Sequence, residues 1–166
     1  SDARKYPAIH PLESWSKYAG SVDKAQTEYG RGILFRGIDV AQMMKVVGEE
    51  GTSTEDYILY MKSELLDAAY LQQDSFDPVD SSVSTELQRH IYRVMFDILS
   101  AKLDLPAKEE ARQYFNSLRQ NFLDWNVSEW KSDDFRELEE KIRLQLYEKK
   151  TGVEDDAAEI VKNLKE

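Results

Sequence analysis

The sequence predicts an all-α protein, a helical bundle of about five or six helices. Apolar residues recur three and four positions apart in several separate segments, which is the spacing of one helix face. No segment shows the alternation of apolar and polar residues that is typical of a half-buried strand. The 166 residues include only four Pro and seven Gly, and 41% are hydrophobic, so helices around one apolar core are expected.

Residues 1–20 are predicted to be an irregular lead-in. They carry two prolines and two aromatic residues, Trp15 and Tyr18, in no regular period, and we expect them to dock through the aromatic rings. The first residue is not methionine, and residues 1–3 resemble the remnant of a cleaved tag. We therefore expect the native segment to start near Arg4, inside a longer polypeptide.

A helix, a turn and a second helix are predicted next. Residues 22–47 have apolar residues at helical positions, although three glycines reduce the helix propensity of this segment. Two glycines and two acids between Gly48 and Ser53 indicate a turn. Ser53, followed by acids in the first turn, is a typical helix N-cap, and this second helix is predicted to run to about Gln73.

Four further amphipathic helices are predicted in the rest of the chain. Pro78 interrupts the helical pattern, because a proline disfavours helical geometry at the residue before it. Pro106 is expected in the first turn of a helix, and Thr151 begins a capping box. The apolar positions of the four helices are Leu87, Ile91, Met95, Ile98 and Leu99; Ala111, Phe115, Leu118 and Phe122; Phe135, Leu138, Ile142 and Leu146; Ala157, Ile160, Val161 and Leu164.

This pattern divides the chain into three parts. The lead-in, 1–20, is followed by a helical bundle, 21–127, and by a charged helical C-terminal extension, 128–166. The extension is richer in charge and poorer in large apolar residues than the bundle. We therefore expect the extension to attach more loosely.

The composition argues against several classes of function. Lys and Arg number 22 against 32 Asp and Glu, a net charge of −10, so nonspecific binding to nucleic acid or to anionic membranes is not expected. The absence of cysteine excludes disulfides and thiolate metal sites, and it favours an intracellular origin. No signal peptide is visible, and no segment approaches the roughly 20 apolar residues that span a bilayer.

Signatures of an autonomous enzyme are missing. The sequence has neither a G-x-x-x-x-G-K-[ST] loop for a triphosphate nor an H-E-x-x-H zinc motif. Glu86 and His90 stand four positions apart on one helix face and could share a metal ion, but no further ligands are evident and no metal site is expected. The residues alone indicate a domain that is not itself a catalyst.

One segment carries chemistry that core packing alone does not explain. Its sequence, LQQDSFDPVD, resembles the L-Q-Q-[NS]-A-F-x-P-V-D segment of the catalytic A subunit of V-type and archaeal-type rotary ATPases. Residues 6–18 resemble the stretch that follows the nucleotide-binding domain in that family, and residues 46–50 resemble its (L/I)-V-G-x-(D/E) turn. The resemblance is at the level of motifs through about residue 90. The matching residues of the first segment are Leu71, Gln72, Gln73, Phe76, Pro78, Val79 and Asp80.

The resemblance implies that this domain completes the adenine side of an ATP site whose P-loop lies upstream. Phe76 would pack against adenine, Tyr70 would form a second wall, and Gln73 belongs to the same site. An aromatic contact with a base contributes about 1–3 kcal/mol. ATP or ADP with Mg is implied for the full-length subunit, and no cofactor for the fragment alone. Without the resemblance, Phe76 would be interpreted as an apolar plug at a helix end.

The chain departs from the family pattern in places. The small residue before the aromatic is commonly Ala in the family and is Ser75 here, and the residue after it is often His and is Asp77 here. Thr-Tyr-Cys commonly follows the family segment, whereas this chain has residues 81–83 as Ser-Ser-Val. No role is therefore transferred to the aromatic and thiol positions of that tripeptide.

The acidic turn is implied to contact a rotor. Gly48, Glu49, Glu50 and Gly51 would occupy the place of the acidic loop that touches the rotor in the related F-type enzymes, and an ordinary solvated turn is an equal alternative. The implied partners are the B subunit and the central stalk subunits, with no nucleic acid and no direct membrane insertion. The implied location is cytoplasmic and peripheral to the membrane, in the soluble ATPase sector.

The implied function is transmission of nucleotide-driven motion to the central stalk, coupled to proton or sodium transport. The full-length protein would be an ATP-hydrolysing or ATP-synthesising rotary enzyme, and the isolated fragment is expected to be inactive. A stand-alone helical adaptor is the alternative, and it predicts a reading frame that begins near residue 4. A metal-dependent helical enzyme is a third hypothesis, which predicts bound iron or manganese.

Overall fold

A computed structural model describes residues 24–71 and 81–151 of the chain. Apart from one isolated bridge between Leu103 and Lys150, these two ranges contain no strand, and the predicted all-α class is confirmed. A π-helical turn, Asp67–Leu71, continues the second helix. The α-helices of the described ranges are α1, Lys24–Val47; α2, Thr54–Leu66; α3, Ser81–Ser100; α4, Lys108–Val127; and α5, Asp133–Lys149.

Several predicted elements lie outside the described residues. They are the lead-in, the helix break at Pro78 and the last amphipathic helix beyond Thr151. Gln73 and Phe76, two of the three residues assigned to the adenine site, also lie outside, whereas Tyr70 is described. The division of the chain into three parts stays a prediction.

α1 and α2 form an antiparallel hairpin. α1 is continuous through its three glycines. One of them, Gly37, is required by the close packing of α2, because an ideal Cβ on Gly37 would lie 2.0 Å from the Oγ of Ser63. Ser53 caps α2 as predicted, since its Oγ accepts the N–H of Asp56 at 3.0 Å. The α-helical geometry ends at Leu66, and the π-helical turn then carries the chain to Leu71.

Replacing Gly37 by alanine is expected to destabilise the protein by about 1–3 kcal/mol, the usual cost of forcing extra atoms into a packed contact. Gly32→Ala is the matched control, because its Cβ would meet nothing within 4 Å. That substitution is expected to be neutral or stabilising by up to about 1 kcal/mol, since alanine has the higher helix propensity. Urea unfolding followed by circular dichroism measures both. Equal stability of the two variants would contradict the close packing of α1 and α2.

The expected position of Pro106 in the first turn of a helix is wrong. Ala107 is the N-cap of α4, with extended backbone (φ −118°, ψ 144°), and its carbonyl accepts the N–H of Ala111 at 3.0 Å. Pro106 therefore precedes the cap. Glu109 and Glu110 occupy the first turn instead, where the helix dipole favours carboxylates.

α3 is the central helix of the core. Its apolar residues cover more than half of its circumference, so it contacts neighbours on several sides. α4 contributes Phe115, Leu118, Phe122 and Trp125 to the same cluster. The apolar α3 side chains buried to 2% exposure or less are Ile91, Tyr92, Val94, Met95, Phe96, Ile98 and Leu99.

α5, in the predicted C-terminal extension, is not loosely attached. Phe135, Ile142 and Leu146 are buried in the common core, although ten of the 17 residues of the helix are charged. The end of α5 is also joined to the α3–α4 connection by backbone bonds: the Lys149 carbonyl accepts the N–H of Asp104 at 2.7 Å, and another bond of 3.0 Å links residues 151 and 102. Three apolar positions at helical spacing are thus sufficient to bury one face.

Candidate functional site

The acidic turn between α1 and α2 has a defined backbone geometry. Gly48 has a φ of +78°, a conformation that residues with a Cβ rarely adopt, and it ends α1 by donating its N–H to the Met44 carbonyl at 2.8 Å. The hydroxyl of Thr52 donates to the Gly48 carbonyl at 2.9 Å. Gly51 approaches the Val47 carbonyl so closely that an ideal Cβ would lie 2.6 Å from the oxygen. Both glycines are therefore required for the shape of the turn.

Glu49 points towards α4. Both of its carboxylate oxygens accept from one guanidinium nitrogen, Nη2 of Arg112, at 2.7 Å, and its backbone carbonyl accepts from Nζ of Lys108 at 2.6 Å. The Arg112 guanidinium also lies over the Tyr57 ring, 5.8 Å from its centroid. The hydrogen bond from Arg112 lowers the pKa of Glu49, and the same bond raises the pKa of Arg112. Glu49 is therefore an internal anchor of the turn.

Glu50 and the second half of α1 form the exposed surface at this end of the molecule. We call Met43, Val46, Val47 and Glu50 the turn-end surface, and all four side chains are solvent-exposed. Val46 has the highest exposure of the apolar members, 85%. Three large exposed apolar side chains within the last five residues of α1 make this end of the helix a candidate for contact with another protein.

Tyr70 lies at the opposite end of the hairpin, in the π-helical turn. Its side chain is only 8% exposed, its ring centroid is 5.4 Å from that of Tyr92, and its hydroxyl donates to the Gln88 carbonyl at 3.3 Å. The Tyr92 hydroxyl in turn donates to the carbonyl of Gln26, near the start of α1. Tyr70 is therefore held mainly by core contacts, and it fixes the end of the helix that leads into LQQDSFDPVD.

His90 does not pair with Glu86. Its Nε2 lies 2.6 Å from Oε1 of Glu139 on α5, and its ring packs among those of Trp125, Trp130 and Phe135. Burial alone would raise the pKa of Glu139, but the hydrogen bonds from His90 and Arg143 outweigh it and lower that pKa. Within residues 24–71 and 81–151, no three His, Cys, Asp or Glu side chains are arranged to hold a metal ion.

Sequence reasoning identified the acidic turn but missed the cations that hold it. Arg112 and Lys108 lie about 60 positions beyond Glu49, and nothing in their local sequence indicates this contact. The pairing of His90 with Glu139, 49 positions apart, was missed for the same reason. Spacing rules detect partners on one helix, whereas these pairs depend on how helices pack.

Comparison with family models shows to which protein family the chain is related. Residues 29–115 match the family described as the C-terminal domain of V and A type ATP synthase. The chain belongs to this family. The match extends from α1 into α4, so it includes the acidic turn and the π-helical turn, and the relationship inferred from LQQDSFDPVD is confirmed.

Several similar curated proteins are V-type ATP synthase alpha chains. The chain is 52% identical to the one from Treponema denticola over 98% of its own residues, and 46% identical to alpha chain 1 of Treponema pallidum over 99%. It is 52% identical to that of Borreliella burgdorferi (strain ZS7) over 84%. The chain spans 24–28% of the length of these relatives. No solved structure matches it.

None of the helices in the described part of the chain is both long enough and apolar enough to cross a membrane.

Proposed function

We propose that this domain is the C-terminal helical part of the catalytic A subunit of a V/A-type ATP synthase or ATPase, and that it links the adenine side of the ATP site to the central stalk. Its membership of the family supports the proposal and favours it over a stand-alone adaptor. The observation that carries it is that the acidic turn and Tyr70 lie at opposite ends of one hairpin. ATP with Mg would bind mainly to a P-loop upstream, and the domain alone would be inactive.

The nucleotide end would act through the segment that follows Leu71. Phe76 would pack against the adenine, and Gln73 would contribute an amide beside it. Tyr70 would close the second side of the pocket, since Tyr92 and the Gln88 carbonyl hold its ring and hydroxyl in place. The packing of Tyr70 supports this role, because a ring fixed in the core gives the segment beyond it a firm support.

The turn end would contact the stalk through the turn-end surface. The apolar side chains of α1 and the carboxylate of Glu50 fit a stalk helix that carries an apolar stripe flanked by Lys or Arg. Gly48 and Gly51 would set the shape of the contact, and Glu49 would hold the turn in place through Arg112. This assigns different roles to the two acids, because Glu50 points to solvent while Glu49 binds α4.

The distance between the two ends suits a lever. About 16 residues of α2 and the π-helical turn separate Thr54, beside the acidic turn, from Tyr70, and a rise of 1.5 Å per residue makes this roughly 24 Å. A small rotation at the nucleotide end would thus become a larger displacement at the turn. Coupling requires that the stalk and the nucleotide each prefer one of the same two orientations.

The assembly would be the soluble sector of a rotary enzyme, in the cytoplasm and peripheral to the membrane. The ATP site would form where the A subunit meets the B subunit, and stalk rotation would drive proton or sodium transport in the membrane sector. The net charge of −10 is consistent with a basic stalk as the partner.

A double substitution at the turn-end surface tests the proposed stalk contact. Val46→Asp with Glu50→Lys, made in the complete subunit within the assembled enzyme, is expected to lower the ions transported per ATP hydrolysed by roughly two- to tenfold, since it removes apolar contact and reverses a charge. The KM for ATP should stay within about twofold of the parent, because the nucleotide end is distant.

Glu137→Lys on the exposed face of α5 is the matched charge-reversal control, and it should leave the coupling ratio unchanged. Unaltered coupling in the double variant would remove the proposed stalk contact. A raised KM with unaltered coupling would instead place this surface near the nucleotide.

A further inference from the structure

We infer that Arg112 is a positioning residue for the acidic turn, and that α4 ties this turn to the π-helical turn through Asn126 at its other end. These contacts lie within the domain itself. Their importance for coupling nucleotide binding to stalk rotation rests on the proposed function. α4 would then be the element that keeps the distance between the two ends of the α1–α2 hairpin constant.

At the turn end, α4 holds Glu49 by two different groups. Arg112 binds the carboxylate through Nη2 and binds Glu109 of its own helix through Nη1, so its guanidinium orientation is set from both sides. The Tyr57 ring lies beneath the same guanidinium. Lys108 binds the backbone carbonyl of Glu49, which fixes the main chain as well as the side chain.

At the nucleotide end, α4 contacts the π-helical turn. The Nδ2 of Asn126 donates to the Ala69 carbonyl at 2.9 Å and to the Phe122 carbonyl of its own helix at 2.9 Å. Ala69 is fully buried and directly precedes Tyr70. π-helical turns interrupt regular helices and occur often at functional sites. A side-chain donor on the carbonyl of such a turn fixes the segment from which LQQDSFDPVD continues.

The helix between the two contacts is rigidly packed. Arg112 and Asn126 are 14 residues apart, which corresponds to roughly 21 Å of helix. Phe115, Leu118 and Phe122 are buried between them in the common core. A displacement of the π-helical turn would therefore move α4 as a unit, and α4 would move Glu49.

Amide hydrogen exchange on the intact 166-residue chain tests this inference. Arg112→Gln is expected to speed exchange of the Gly51 and Thr52 amides by roughly two- to fivefold, the effect of losing one partly exposed ion pair. It should also speed exchange in the π-helical turn, and Asn126→Ala should speed exchange at both ends. In the double variant the two effects should combine to less than their product, as expected for coupled sites.

Arg119→Gln, on an exposed position of the same helix, is the matched control and should change neither end. Arg112→Lys keeps the charge and should restore part of the protection, which separates positioning from a general loss of stability. Unchanged exchange at Gly51 and Thr52 would overturn the role of Arg112. A change confined to the acidic turn would overturn the link through α4. Neither result involves ATP or a stalk, so the proposed function stands or falls separately.

Discussion

Replacing Phe76 by alanine in the complete subunit should raise the KM for ATP by roughly 5- to 150-fold, because a lost base–aromatic contact costs about 1–3 kcal/mol. The proposed pocket contacts only the base, so the phosphates would still bind to the upstream P-loop. The catalytic rate at saturating ATP should therefore change much less than KM. Steady-state kinetics of the assembled enzyme over a wide range of ATP concentrations would measure both quantities.

Phe76→Tyr and Phe76→Trp are the matched controls, since each keeps an aromatic face at the position. Both should hold KM within a few-fold of the parent. A comparison of ATP with GTP adds a second test, because loss of a base contact should reduce the preference for adenine. If Phe76→Ala leaves KM for ATP unchanged, Phe76 is an apolar plug at the end of the helix.

The helices were predictable where their signals are local. Ser53 caps α2 as expected, and the stripes that begin at Ala111 and Phe135 became the buried faces of α4 and α5. Gly37 shows where local reasoning fails. Glycine lowers helix propensity, but here it allows Ser63 of α2 to approach, and that reason exists only in the packed structure.

The candidate site was predictable only in part. The resemblance assigned Tyr70 to the adenine site, but it did not indicate that Tyr70 is almost fully buried. In the structure most of this side chain contacts the core, including the ring of Tyr92. Glu49 and Glu50 are neighbours of one residue type, yet only the structure shows that Glu49 binds Arg112. Exposed ion pairs contribute roughly 0–1 kcal/mol and can form between many residues, so sequence carries little record of which pair forms.

Trp125→Ala should be among the most destabilising single substitutions in the described part of the chain. The side chain is fully buried, and its ring centroid is 5.1 Å from that of Phe135 on α5 and 5.9 Å from that of His90 on α3. Removing it would open a cavity where three helices meet, and we expect a loss of about 3–5 kcal/mol in the free energy of unfolding. Urea unfolding should be followed by circular dichroism, because the substitution removes a fluorophore.

Trp125→Phe separates packing from polarity. The indole N–H is buried and has no hydrogen-bond partner among the described residues, so its removal relieves a desolvation cost that offsets part of the lost contact. This variant should therefore stay folded and remain measurable even if the alanine variant does not. Trp130→Ala, at a half-buried position beside the same rings, should cost less than Trp125→Ala. An equal loss of unfolding free energy in the two alanine variants would mean that the half-buried Trp130 holds α5 as strongly as the fully buried Trp125 does.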